Sequence, residues 1–251
     1  MRELIERLTR DKDEVRALAR VLDLTEQAVR RGQQAGDFME PRRQELTNRL
    51  LAGNAQICIS WQGGYAGAER CRLVLHEPDL EPEAQISLLL VTGPKPLSHR
   101  DCLGSLLGLG LRREKIGDLI PRENSCMLIT AREIADFVLN NLIRVGNQDI
   151  RVVGADQIDE QMLQGPKTIN TTVASLRMDA VIAAGFGVPR SEAQKLVEAE
   201  KVKLNYLEIT KSDRQLQAGD LISVRGYGRL KLVTLDGKSR KDRLRITLEK
   251  Y

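Results

Sequence analysis

Aromatic side chains are scarce in this sequence, with three Phe, four Tyr and one Trp in 251 residues. Rows of exposed rings for stacking nucleobases are therefore not its main means of recognition. Histidine is scarcer still: His76 and His99 are the only two, and neither has a second metal ligand at useful spacing. The four cysteines, Cys58, Cys71, Cys102 and Cys126, include no C-x-x-C pair. This pattern argues against a zinc site or a disulfide framework and for reduced thiols in a cytosol-like compartment. No cofactor is expected. No apolar run approaches the roughly 18 residues that cross a bilayer. The N-terminal MRELIERLTRDKDEV lacks a signal-peptide apolar core and is too acidic for a transit peptide. The expected location is the cytoplasm, or the plastid stroma for a processed organellar protein, with no membrane partner.

Catalytic constellations are missing too. No Ser-His-Asp, Cys-His or paired-carboxylate arrangement can be argued from spacing. His99-Arg100-Asp101 has the letters of a kinase catalytic loop, but no metal-binding Asn follows at the kinase spacing and no DFG follows it. Gly108-Leu109-Gly110 follows a helical pattern rather than a strand, so it is not a dinucleotide fingerprint.

What is present is charge, unevenly distributed. The whole chain carries a net +4. From Leu176 onward there are sixteen Lys and Arg against ten Asp and Glu, so that part is +6 and the first 175 residues are −2. An anionic partner for the last third is implied. Arg190 opens a helix whose free N–H groups already favour phosphate. Lys195, Lys201 and Lys203 follow, then Arg225, Arg229 and Lys231 in SVRGYGRLKL, and Lys238, Arg240, Lys241 and Arg243 in GKSRKDR. On charge alone these read equally well as a solvated face or as one phosphate-tracking surface. Arg112, Arg113 and Lys115 form a second basic cluster, either a further phosphate patch or an exposed turn.

Periodicity divides the chain in three. Residues 1–52 read as helical, with Thr25 as a cap and Pro41 opening a further short helix. Ile57, Ile59 and Trp61, then Cys71, Leu73 and Leu75, alternate as a hairpin. His76–Glu83 reads as a linker. A strand at Ile86–Val91, a helix capped by Ser98, a strand at Cys126–Ile129, a helix after a Thr130/Glu133 capping box and a strand over Val145–Val153 suggest a ferredoxin-like or RNA-recognition-motif-like domain. Gln157–Thr172 reads as a second linker. Ser175 caps a short helix with Asp179 in its first turns, Gly185 and Gly187 end it, and Pro189 and Ser191 start another. Short strands complete the chain.

Within this last domain, LRMD (Leu176–Asp179), PRSEAQKLV (Pro189–Val197), KVKLN and AGDLISVRG (Ala218–Gly226) resemble the S-four RNA-binding domain. The resemblance implies binding of structured RNA through the two helices and the adjoining strand, with Arg177, Arg190, Ser191, Lys195 and Lys203 on the contact surface. Three positions depart from the pattern: Met178 stands where Leu is usual, Glu200 where Gly often ends the second helix, and Tyr206 where Gly or Lys is common. Together with Ser98–Ile120 and Ile134–Gly146, the chain resembles the YlmH-type RNA-binding proteins, whose cyanobacterial and plastid version is often labelled "photosystem II S-four domain protein". That resemblance implies action on the ribosome, on the large subunit, in rescue of stalled translation. Arg177-Met178-Asp179 also has the letters of a pseudouridine synthase motif, but it lies within the binding module itself.

The expectation is thus an α+β protein of three small domains. Residues 1–76 form a helical and β-hairpin domain, 84–156 an RRM-like middle domain and 173–251 an S-four-type domain. It is expected to be a monomeric, non-enzymatic binder of structured, ribosomal RNA or of a ribosome–tRNA complex. An RNA-modifying enzyme acting through the middle domain and a protein-interaction scaffold are the alternatives. The predicted RNA contacts are Arg177, Arg190, Ser191, Lys195, Lys201, Lys203, Arg225, Arg229, Lys231, Lys238, Arg240 and Lys241, with no catalytic or metal-binding residue.

Overall fold

The computed structural model describes residues 2–163, 165–239 and 242–251. The chain forms two compact units, residues 1–164 and 165–251, and its class is α+β. No helix among the described residues is long and apolar enough to cross a membrane.

The first unit opens with α1 (Arg2–Leu8) and α2 (Lys12–Arg31). The Asp11 carboxylate caps α2 by accepting the N–H groups of Asp13 and Glu14. Thr25, expected to be a cap, lies buried inside this helix and donates its hydroxyl to the Val21 carbonyl. A strand not foreseen in the sequence follows, β1 (Gln33–Met39). Its Gly36 and Asp37 are poor strand formers, and a register shift between Ala35 and Phe38 breaks the alternation that would have signalled it. After α3 (Pro41–Leu50), which begins at its proline, β2 (Cys58–Gln62) and β3 (Cys71–His76) form the expected hairpin. The sheet order is β1-β3-β2, with Leu73 and Leu75 of β3 packed on Leu18, Val21, Ala28 and Leu50 from the helices.

The same unit then continues through β4 (Ile86–Thr92), α4 (His99–Gly108), β5 (Ile116–Arg122), β6 (Ser125–Ala131), α5 (Arg132–Asn141), the short β7 (Arg144–Val145) and β8 (Gln148–Asp149), and β9 (Arg151–Ala155). The antiparallel order β5-β6-β4-β9 on a βαββαβ chain is the ferredoxin-like arrangement expected. β5 was not foreseen, because its Gly117, Asp118 and Pro121 speak against a strand. Ser98 caps α4 as expected, accepting the Asp101 N–H. The Thr130/Glu133 capping box does not form. α5 is capped by Ala131 without a side-chain bond, while the Glu133 carboxylate is taken by Arg72 and Lys115. Helices α4 and α5 cover one face of this sheet through Leu89, Val91, Leu106 and Val138. On the other face Met127 and Ile129 pack with Phe38 of β1, so the two sheets share a core.

The second unit comprises β10 (Lys167–Val173), α6 (Met178–Phe186), α7 (Arg190–Glu198), β11 (Val202–Leu204), β12 (Leu207–Glu208), β13 (Leu221–Val224), β14 (Gly228–Lys238) and β15 (Leu244–Lys250). They form one antiparallel sheet in the order β10-β15-β14-β13-β11-β12. The last six residues of the segment Gln157–Thr172, expected to be a linker, belong to β10. It pairs without interruption from Lys167 opposite Lys250 to Val173 opposite Leu244. Its Thr and Asn residues suit an edge strand with one solvated face. The first helix is capped by Arg177 rather than Ser175 and closes at Gly187, in left-handed conformation with φ of 70°. Gly185, expected as a stop, lies inside that helix. Both helices pack on one face of the sheet, against Val202, Ile222, Val224, Leu232 and Leu248.

Candidate nucleic-acid interface

The centre of the second unit's charged surface is a carboxylate. Asp179, in the first turn of α6, is completely buried. Arg177 donates to it from Nε at 3.3 Å and Nη2 at 3.1 Å, and Arg190 at the start of α7 donates from Nη2 at 3.1 Å. Gln194, one turn further along α7, donates at 2.9 Å. Burial pushes the Asp179 carboxyl up, but the hydrogen bonds from Arg177, Arg190 and Gln194 outweigh it and hold the pKa at about 2. Asp179 thus faces two guanidinium groups, and Asp213 is a second carboxylate that acts on Arg177. The Arg177 and Arg190 side chains remain 33% and 48% accessible, and their unused N–H groups are set in place for an external oxyanion. Asp179 and Gln194 were not foreseen as site residues. The only sequence signal was the spacing of Arg190 and Gln194, which puts both on one face of a helix.

Ser191 and Lys195 are exposed on α7, beside the arginine cluster. The strand residues lie elsewhere. Ladder register pairs Lys203 with Ser223 and Ser223 with Arg229, while Lys231 stands opposite Leu221. Their neighbours Val202, Leu204, Ile222, Val224, Leu230 and Leu232 are the buried ones. Alternation along a strand therefore places Lys203, Arg229 and Lys231 on the sheet face away from the helices. Arg225 donates its backbone N–H to the Lys201 carbonyl at 2.8 Å, bringing these two exposed residues side by side at the end of β11 and β13. The predicted contacts thus fall into a helix-side group and a strand-side group. Lys238 is paired with Asp242 at 2.7 Å near the far end of the β14–β15 ladder. Arg240 and Lys241 lie outside the described residues.

The departures from the S-four pattern now have a physical setting. Glu200 and Tyr206 have φ of 56° and 71°, the left-handed region that favours glycine. Asn205, also left-handed, is held by its amide bonds with the Asp220 carboxylate and the Leu221 N–H. The Gly226-Tyr227-Gly228 turn is tied to α7: Tyr227 donates to Glu192 at 2.5 Å, and its ring lies 5.5 Å from that of Phe186.

Comparisons with known proteins agree with this geometry. Residues 13–80 match the family described as "YlmH, N-terminal", residues 81–159 the "Putative RNA-binding domain in YlmH", and residues 176–222 the S4 domain. The chain is 34% identical over 224 residues to the "Ribosome-associated protein quality control protein P2" of Bacillus subtilis (strain 168), covering 85% of this chain and 86% of that protein. It also shares its fold with the "Cell division protein ylmH from Streptococcus pneumoniae". That structure has a TM-score of 0.53 and 16% identity, over 60% of this chain and 98% of that one. The chain belongs to the YlmH-type family of proteins that carry a C-terminal S4 domain.

Proposed function

We propose that this protein binds structured ribosomal RNA on the large subunit, or a ribosome–tRNA complex, and acts in quality control of stalled translation by binding rather than by catalysis. The observation that carries the reading is the pair of guanidinium groups fixed on buried Asp179, next to exposed Ser191 and Lys195. Prepositioned arginines suit phosphate recognition because less side-chain freedom is lost on binding. The Bacillus relative, named for ribosome association and quality control, supports the ribosomal assignment. The state of Asp179 supports binding over catalysis. A carboxylate held near pKa 2 and saturated by three side chains is a poor general base at neutral pH.

The test is a double variant, Arg190→Gln with Lys195→Glu, assayed for binding to large subunits by co-sedimentation and to a structured RNA by filter binding across salt. A glutamine at 190 avoids placing a second carboxylate beside Asp179. The expected result is at least a tenfold loss of affinity and a shallower salt dependence, in a chain that still unfolds cooperatively but at a lower melting temperature, because buried Asp179 loses its Arg190 partner. Wild-type affinity would remove the helix-side face from the RNA contact. A wild-type chain found only in the free fraction at low salt would defeat the ribosomal assignment.

A further inference from the structure

The first unit carries an open groove of about 360 Å³ between α2, β1 and the turn that precedes β5. Its charged and polar lining is Arg20, Asp23 and Gln27 from α2, Asp37 from the bulge of β1, and Arg112 and Lys115 from the turn. Lys115 is already engaged, with Asp37 and Glu133 each at 3.0 Å. The guanidinium groups of Arg20 and Arg112 are exposed and have no hydrogen-bond or ion-pair partner among the described residues. Two unpaired arginines from separate elements thus border one groove, whose wall also offers the carboxylate of Asp23, the amide of Gln27 and the second oxygen of Asp37.

From this juxtaposition we propose that the groove binds one nucleotide splayed out of an RNA strand, with phosphate on Arg20 and Arg112 and base edge on Asp23, Gln27 and Asp37. The groove's volume admits one nucleotide, and its open side leaves the rest of a strand in solvent. An arginine pair matches the non-bridging oxygens of a phosphodiester. Carboxylate and amide groups read the exocyclic amines and ring N–H groups of a base that has left its helix. No aromatic side chain lines the groove, so the base rests on Leu24 and a guanidinium plane. The two acidic residues make the site unsuitable for phosphate alone and suitable for a ligand that also carries donors. This site is separate from the arginine cluster on Asp179 and does not depend on it.

The experiment uses the full chain in the Arg190→Gln/Lys195→Glu background, so that helix-side binding does not obscure the result. Backbone amide signals of α2 and Gly36 are followed by NMR during titration with the four nucleoside 5′-monophosphates, inorganic phosphate and a five-nucleotide single-stranded RNA. Shifts at these amides from at least one monophosphate, with unequal affinities among the four bases, are expected. Binding of the RNA at least tenfold tighter identifies the strand rather than the free nucleotide as ligand. Substituting Arg20→Gln and Arg112→Gln, which have no partner to lose, should weaken RNA binding at least fivefold at unchanged melting temperature. It should also flatten its log–log salt slope by about 0.7, for one phosphate contact on a single strand. Inorganic phosphate matching the best monophosphate, equal affinity for RNA and free nucleotide, or an unchanged double variant would each overturn the proposal.

Discussion

Arg72 and Glu133, sixty-one positions apart, meet in a two-pronged ion pair with nitrogen–oxygen distances of 2.7 and 2.8 Å. Arg72 lies in the central strand of the first sheet and is 2% exposed; Glu133 begins the helix that follows β6. The remaining donors of Arg72 go to the carbonyls of Gly36 and Gln85. Nearby, Arg70 is shared among Glu40 and the carbonyls of Phe38 and Ile116, and Asp118 accepts the Tyr65 hydroxyl and the Glu69 N–H. These buried arginines bind the two sheets of the first unit together.

Replacing Arg72 with Met should therefore destabilise the first unit by about 3 kcal/mol, because the carbonyls it serves lose their donor. Denaturant unfolding followed at Trp61, in β2, should move to lower midpoint. Probes in residues 165–251 should not move.

Glu133 carries a pH signature. Burial raises its pKa, but hydrogen bonds from Arg72 and Lys115 prevail and set it at about 2. A carboxylate depressed on folding contributes stability above its unfolded pKa and loses it as pH falls through the folded one. The first unit should thus weaken between about pH 4.5 and 2, and Glu133→Gln should flatten that part of the acid-unfolding curve. Because Glu133 is half exposed, the amplitude will be modest.

Asp179→Asn should reduce RNA affinity although Asp179 touches no solvent. The substitution preserves shape but removes the charge that holds Arg177 and Arg190, so both guanidinium groups lose their fixed positions. The expected cost is about 2 kcal/mol in stability at neutral pH and a several-fold loss in binding. Filter binding and chemical denaturation on the same preparation check both. The stability difference from wild type should vanish as pH approaches 2, where Asp179 itself becomes protonated.

Gly185→Ala tests the seating of α6. A Cβ there would lie 2.3 Å from Leu230 Cδ1 and 3.1 Å from Leu248 Cδ1, both in fully buried side chains. Overpacking of this kind costs about 1–3 kcal/mol. A melting temperature equal to wild type would show that the Leu230 side chain or the helix gives way without cost.

Local signals in the sequence were reliable where the chain satisfies itself locally. Ser98 caps its own helix, and the alternation of Cys71, Leu73 and Leu75 marks its own strand. Signals failed where a distant partner decides the outcome. Glu133 has the spacing of a capping residue but is taken by Arg72; Lys167–Val173 has the polarity of a linker but is completed by β15. Arg177 and Arg190 were legible as cations from the S-four pattern. Their shared anchor was not, because Asp179 at a helix start is an ordinary favourable charge until the fold delivers Arg190 and Gln194 to it. The division between helix-side and strand-side cations depends on ladder register, which residue type alone does not fix.

The anchoring of Arg177 and Arg190 on a deprotonated Asp179 has a consequence for signalling. Residues 165–251 contain no histidine and no cysteine. The second unit therefore has neither an imidazole to titrate near neutrality nor a thiol to oxidise, and its central carboxylate releases its proton far below any cellular pH. Acidification and oxidative stress pass over this surface without changing its charge. Ionic strength is the variable it answers to.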